Sequence, residues 1–215
     1  SKTMNLFFDR LGVMKKLLAI LVLTLCLTTP SQADDIRDFQ IEGISIGDSL
    51  LDYFGESKIK KNIKNSYYRW VKKDNRKYAT TQLKSCKFWG ADTENCVKIE
   101  NYNGLQATFK RDDKKYIVYG LSGIIDYRNN IEDCYEKKNE IFKEIKGMFK
   151  NLKISHKTKP HPRDANSKTV SSYYWFPTKD FIRVTCMDWS KETGLLDNLR
   201  IGILSSDFNN WMKGK

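Results

Sequence analysis

The residues whose types and spacing could do chemistry here are one serine, two histidines, a set of cysteines and a basic stretch rich in aromatics. Ser49 stands in Gly47-Asp48-Ser49-Leu50, directly after the apolar run Ile41 to Ile46. A serine hydroxyl attacks only when a neighbouring imidazole takes its proton and an acid orients that imidazole. The chain has 2 histidines, His156 and His161, both in the Pro-containing stretch Lys153 to Lys168. That stretch reads as a solvated loop. An H-x4-H pair without cysteine or acid partners is poor metal geometry. Asp92 and Glu94 lie between Cys86 and Cys96, and two spaced acids fall short of the oxygen set that calcium needs. No metal and no cofactor is therefore expected. Gly120 and Gly123 make a G-x-x-G, but inside a strand-like run with no helix start after it, so they predict a bulge or close packing.

Charge points to a class of partner. The formal net charge is +12, and Ser57 to Lys87 carries eleven Lys or Arg against one acid, Asp74. Tyr67, Tyr68, Trp70 and Tyr78 are interleaved with them. Cations among aromatics suit a polyanion or an anionic surface. Lysines outnumber arginines 29 to 9, however, which an AT-biased coding sequence produces with no selection for binding. Bidentate phosphate recognition would favour arginine, and an exported protein rarely meets nucleic acid. Nucleic acid is thus excluded as the expected partner, and an anionic envelope surface is retained.

Export is read from the leader. From Met14, Lys15-Lys16 precede the apolar run Leu17 to Leu27, then Thr28-Thr29-Pro30-Ser31-Gln32-Ala33. This is a charged region, a short apolar core and a small-x-small cleavage site. The apolar run is too short for a span of about 20 residues, so no transmembrane span is expected in the mature chain. Leu25 before Cys26 argues against a lipid anchor. Residues 1–33 are taken as upstream sequence plus signal peptide, cleaved after Ala33, and residues 34–215 as one domain. Four cysteines remain in it: Cys86, Cys96, Cys134 and Cys186. An even count in an exported chain predicts two disulfides, and the spacing lacks the paired knuckles of a zinc site.

The elements that must position these groups follow from periodicity and punctuation. Asp48 or Ser49 caps a short helix with Leu50, Leu51 and Phe54 on one face and Gly55 closing it. Ser57 caps a second, with Ile59 and Ile63 inward and Lys58, Lys60, Lys61 and Lys64 outward. Strands are predicted at 66–72, 77–83, 96–102, 105–110 and, as one long run, 115–126. The surest helix covers 130–152, capped by Asn130, with Ile131, Cys134, Tyr135, Ile141, Phe142, Ile145, Met148, Phe149 and Leu152 as its apolar stripe. A meander follows at 169–176, 181–189 and 195–204, and 207–212 is a closing turn. Alternation in 181–189 puts Ile182, Val184 and Cys186 on one face. Cys134 lies on the helix stripe, so Cys134–Cys186 should clamp helix to sheet and Cys86–Cys96 should close the loop between them. The predicted fold is α+β: an antiparallel sheet covered by one long helix, with a short N-terminal helix pair and two disulfides.

Gly47-Asp48-Ser49-Leu50 resembles the signature block of the GDSL or SGNH hydrolases, which would make Ser49 the nucleophile of a serine esterase. That family also has Asp-x-x-His near its C-terminus and a Gly-x-Asn-Asp block. Here Lys153 and Thr158 stand three before the histidines, the second block is missing, and a meander replaces the parallel layout the family needs. A capped helix start is the reading preferred. Phe39 to Phe54 is similar to the opening of uncharacterised small exported proteins of marine bacteria. The order of helix pair then strands also resembles small envelope modules of the BamE and beta-lactamase-inhibitor-protein group. Those resemblances imply protein-binding work and carry no catalytic set. The expected function is a periplasmic or secreted, non-catalytic binding or envelope-accessory module, with the esterase as alternative. Its partner would be an envelope protein or an anionic surface. Tyr68, Trp70, Tyr174 and Lys72, on aromatic-rich strands, are the candidate binding residues.

Overall fold

The computed structural model describes residues 35–64, 76–89, 96–128, 130–162 and 164–214. The leader, the strand expected at 66–72 with Tyr67, Tyr68, Trp70 and Lys72, and the acids Asp92 and Glu94 lie outside these residues.

Alternation of apolar and polar residues decides the architecture. Eight strands form one sheet: β1 (Tyr78–Ser85), β2 (Cys96–Val97), β3 (Gly104–Lys110), β4 (Gly120–Tyr127), β5 (Lys153–His161), β6 (Asp164–Trp175), β7 (Phe181–Asp188) and β8 (Asp197–Leu204). Their order across the sheet is β2-β1-β3-β4-β8-β7-β6-β5. Every pairing is antiparallel except β1 with β2. The expected meander is there, closed onto the N-terminal hairpin by the β4–β8 ladder. Among the described residues the α-helices are α1 (Glu56–Lys61), α2 (Cys86–Trp89), α3 (Ile131–Met148) and α4 (Ser206–Met212).

One face of the sheet is closed by the main core. Leu83, Leu105, Ala107, Leu121, Ile203, Ile201, Leu199, Ile182, Val184 and Cys186 lie on it, all buried. α3 packs on β7, β8 and β4 through Cys134, Ile141 and Ile145. The long helix therefore covers only part of the sheet. Residues 35–64 fill the rest with Ile36, Ile41, Ile44, Leu50 and Ile59. Both expected disulfides form, Cys86–Cys96 and Cys134–Cys186, spanning 10 and 52 positions of the chain. By loop-closure entropy they contribute about 3 and about 4 kcal/mol.

Several elements differ from the sequence prediction, each for a local reason. Residues 153–161 are strand, not loop. β5 is an edge strand, largely exposed, so its pairing with β6 leaves no apolar period to read. The run 115–126 is not one strand. The Asp113 carboxylate accepts from the backbone of Lys115 and Ile117, both at 2.9 Å, and turns the chain at Tyr116 (φ 51°), so β4 begins only at Gly120. The 96–102 strand shrinks to two residues. Helix α3 stops at Met148, with Phe149 extended, and Asn130 precedes it without a side-chain cap bond. Ser49 opens a 3-10 turn, Leu50–Asp52, which leaves Leu51 41% exposed. Gly55 starts α1 rather than ending the turn before it, so Ser57 falls inside the helix. The closing turn is the helix α4, capped by Ser205.

Candidate functional site

Among the described residues no comparable layer covers the other face of the sheet. At one end α4 folds back, and Tyr78, Phe181, Leu204, Phe208 and Trp211 form a small second core. The Asp180 carboxylate holds α4 there by accepting from the Ser206 backbone at 2.6 Å. The centre of this face stays open, and pairing lays its side chains in rows across the strands. One row runs Gln82, Gln106, Ser122, Gly202, Arg183, Tyr173; the next runs Lys84, Gly104, Ile124, Arg200, Thr185, Ser171.

Hydroxyls on this floor satisfy one another. Thr80 Oγ1 and Thr108 Oγ1 lie 2.9 Å apart, and Ser171 Oγ and Thr185 Oγ1 2.8 Å apart. Arg200 donates from Nε to Asn198 Oδ1 at 3.0 Å and from Nη1 to Gln106 Oε1 at 3.4 Å, which holds its guanidinium along the floor. Arg183 differs. Its Nε is closed to solvent and has no hydrogen-bond partner. Leaving such a donor unmatched costs about 1–3 kcal/mol.

Gly202 sits between Ser122 and Arg183, where a Cβ would meet Ser122 Oγ at 2.7 Å. Glycine is what this close packing against Ser122 and Leu204 allows. A hollow of about 310 Å³ lies alongside, bounded by Ser122, Arg183, Arg200, His161, Met187 and Phe208. The His161 ring, with its centroid 4.3 Å from that of Trp189, stands at the rim. No acid lines this hollow among the described residues. A second hollow of about 520 Å³ shares Gln106 and Arg200 with the first and is walled by Leu195, Leu196 and Trp189. Its one acid among the described residues is Asp126, whose pKa is raised by burial, with Arg200 and Arg128 working the other way.

Toward the β5 edge the face becomes cationic and aromatic. Tyr173 and Trp175 are stacked at 6.0 Å. The Lys157 ammonium lies 5.7 Å from the Tyr173 ring and the Lys213 ammonium 5.7 Å from the Trp175 ring. By the pairing register Lys153, Lys157 and Lys159 share this face.

Of the described residues singled out from sequence, His161 borders the first hollow, while Ser49, His156 and Tyr174 lie elsewhere. Ser49 Oγ donates to the Lys115 carbonyl at 2.6 Å and accepts from the Leu51 backbone at 3.2 Å. Both bonds are to backbone, so the hydroxyl caps a turn and ties it to residue 115. Asp48 accepts from Ser45 N–H at 2.8 Å and from the Tyr53 hydroxyl at 2.9 Å. The structure does join a serine to a histidine, but they are Ser172 and His156, with Oγ 2.9 Å from Nδ1. Ser172 is fully buried on the closed face, where a substrate has no approach to it. Tyr174 is buried on that same face against Phe142, and burial pushes its phenol up to about 12. Its strand neighbours Tyr173 and Trp175 face the open side. Among the described residues no cluster of His, Cys, Asp or Glu could hold a metal ion. Gly123 packs as expected: a Cβ there would meet the Tyr102 ring at 2.4 Å.

Arg183 and Arg200 were not singled out from sequence. Each falls on the polar beat of its strand, and the alternation that buried Ile182 and Ile201 was the signal that could have placed both on one opposite face. Comparison with family models, curated proteins and solved structures finds no match to the chain.

Proposed function

We propose that this chain is an exported, non-catalytic binding module of the cell envelope that receives an anionic partner on its open sheet face. The observation that carries this is Arg183: a buried, unmatched donor on a floor of hydroxyls and a second arginine, with no acid in the hollow above it among the described residues. The lysines of β5 extend the same charge to the edge of the face. Two disulfides and the absence, among the described residues, of a helix able to cross a membrane fit an exported protein. Periplasmic location rests further on the leader. Against the esterase reading stand the two backbone bonds of Ser49, which leave its hydroxyl without a base.

Retention on a heparin column, heparin being a probe polyanion, tests which face binds. Replacing Lys153, Lys157 and Lys159 by Glu should move elution to clearly lower salt. The same reversal of Lys58, Lys60 and Lys61 on α1, which packs on the closed side, should move it less. Equal shifts would mean diffuse basicity and would remove the open face as the binding surface.

A further inference from the structure

We infer that the hollow bounded by Ser122, Arg183 and Arg200 is a binding site for a small organic anion: one carboxylate or phosphate group on a short apolar body. This rests on the open face being the binding face. Arg183, Arg200 and Ser122 stand in the middle of the hollow. Leu204, Phe208 and Met212, supplied by β8 and α4, form an apolar half toward one end, and Met187 lies past Arg200 at the other. A wholly inorganic anion would leave the apolar half wet. A neutral apolar molecule would leave the two guanidinium charges without a counter-charge. An oxyanion carried on an alkyl or aryl body answers both.

Geometry sets where the acid goes. Arg200 already spends Nε on Asn198 and Nη1 on Gln106, so its guanidinium is held in place and contributes mainly charge. Of the Arg183 nitrogens only Nε is closed to solvent and unmatched, so an acid in the hollow would meet the terminal nitrogens. A guanidinium presents its donors as a planar fork that matches two oxygens of one acid group. The volume, about 310 Å³, falls at the small end of the roughly 300–1,000 Å³ of small-molecule pockets. That fits one acid and a short chain, not a nucleotide or a folded peptide.

The test is a titration of the intact mature protein, with both disulfides formed, by hexanoate, octanoate, hexyl phosphate and hexanol. Binding is followed on the arginine Nε–H resonances. The expected result is a saturable shift of the Arg183 Nε–H with the acids, tighter for octanoate than for hexanoate, and none with hexanol. The preference between hexanoate and hexyl phosphate then tells carboxylate from phosphate. Arg183→Met keeps the volume of the side chain and should lose binding at least tenfold. Arg183→Lys keeps the charge without the fork and should recover only part of it. Met212→Ser should cancel the advantage of octanoate over hexanoate. Should Arg183→Met fail to fold, the Arg183 resonance in the unaltered protein and the Met212→Ser comparison still decide. Equal response to hexanol and hexanoate, or shifts confined to the surface lysines, would overturn the inference. If heparin retention still maps to the open face in that case, the binding module stands and only this ligand falls. If retention does not map there while octanoate still moves Arg183, the polyanion-facing surface falls and the small site stands.

Discussion

The two faces of one sheet are built from alternate residues of the same strands, yet they have been put to opposite uses. On β7, Ile182, Val184 and Cys186 are fully buried beneath α3, while Arg183 between them faces a hollow. On β8, Leu199 and Ile201 are buried and Arg200 lies between them. The closed face is apolar, tied by a disulfide, and filled by residues 35–64 and by α3. The open face is hydroxyl- and arginine-rich. Stability comes mostly from the first. Each keeps an unmatched buried donor, the Tyr174 hydroxyl on the first and Arg183 Nε on the second, but only the second is cationic. A one-residue step along a strand thus separates a folding role from the binding role proposed for the open face.

The sharpest way to break this contrast is on β4. Leu121 is buried on the closed face and Ser122 is its neighbour on the open one. Leu121→Asp should lose at least about 4 kcal/mol and leave the protein unfolded, because a buried charge has no partner there. Ser122→Asp should stay folded within about 1 kcal/mol and abolish anion binding by placing an acid beside Arg183. Chemical denaturation of both variants, with octanoate titration of the second, checks the pair; similar losses of stability would mean the two faces are equally part of the core.

Alkaline pH separates the faces less sharply. Burial pushes the phenols of Tyr102, Tyr135 and Tyr174, on the closed side, and of Tyr78, in the second core, from an ordinary 10.0 to about 12. A raised folded value means the folded state holds its proton longer. The stability these groups contribute is complete below pH 10 and is lost as pH rises from 10 toward 12. Circular dichroism and tyrosinate absorbance should therefore change together in that window. Ionisation of all tyrosines near their ordinary value with the fold intact would mean these rings are open to water.

The smallest expected effect lies far from the open face. Ser49→Ala should cost about 1 kcal/mol, the loss of a capping hydroxyl, and change no hydrolytic rate on a short-chain aryl ester. An esterase activity abolished by that substitution would restore the nucleophile and end the non-catalytic reading.

What could be read in the sequence was whatever depends on local pattern. The Ser49 cap, the meander strands, and the placing of Cys134 and Cys186 toward one interface follow from helical and strand periods, which hold before any partner is known. The departure from the GDSL pattern is also legible, since the chain offers no Asp-x-x-His. Tertiary structure alone decided which strands became neighbours. The pairing of β5 makes a strand of a polar segment with no period of its own. The turn at Tyr116, held by the Asp113 carboxylate, cuts short an apolar run that favours strand. Most of all, Arg183, Arg200, Gly202 and Ser122 converge only through the registers of β4, β8 and β7. Alternation fixes which face a side chain takes, because the backbone repeats every two residues. It does not fix what lies beside it, because sheet pairing joins residues distant in the chain.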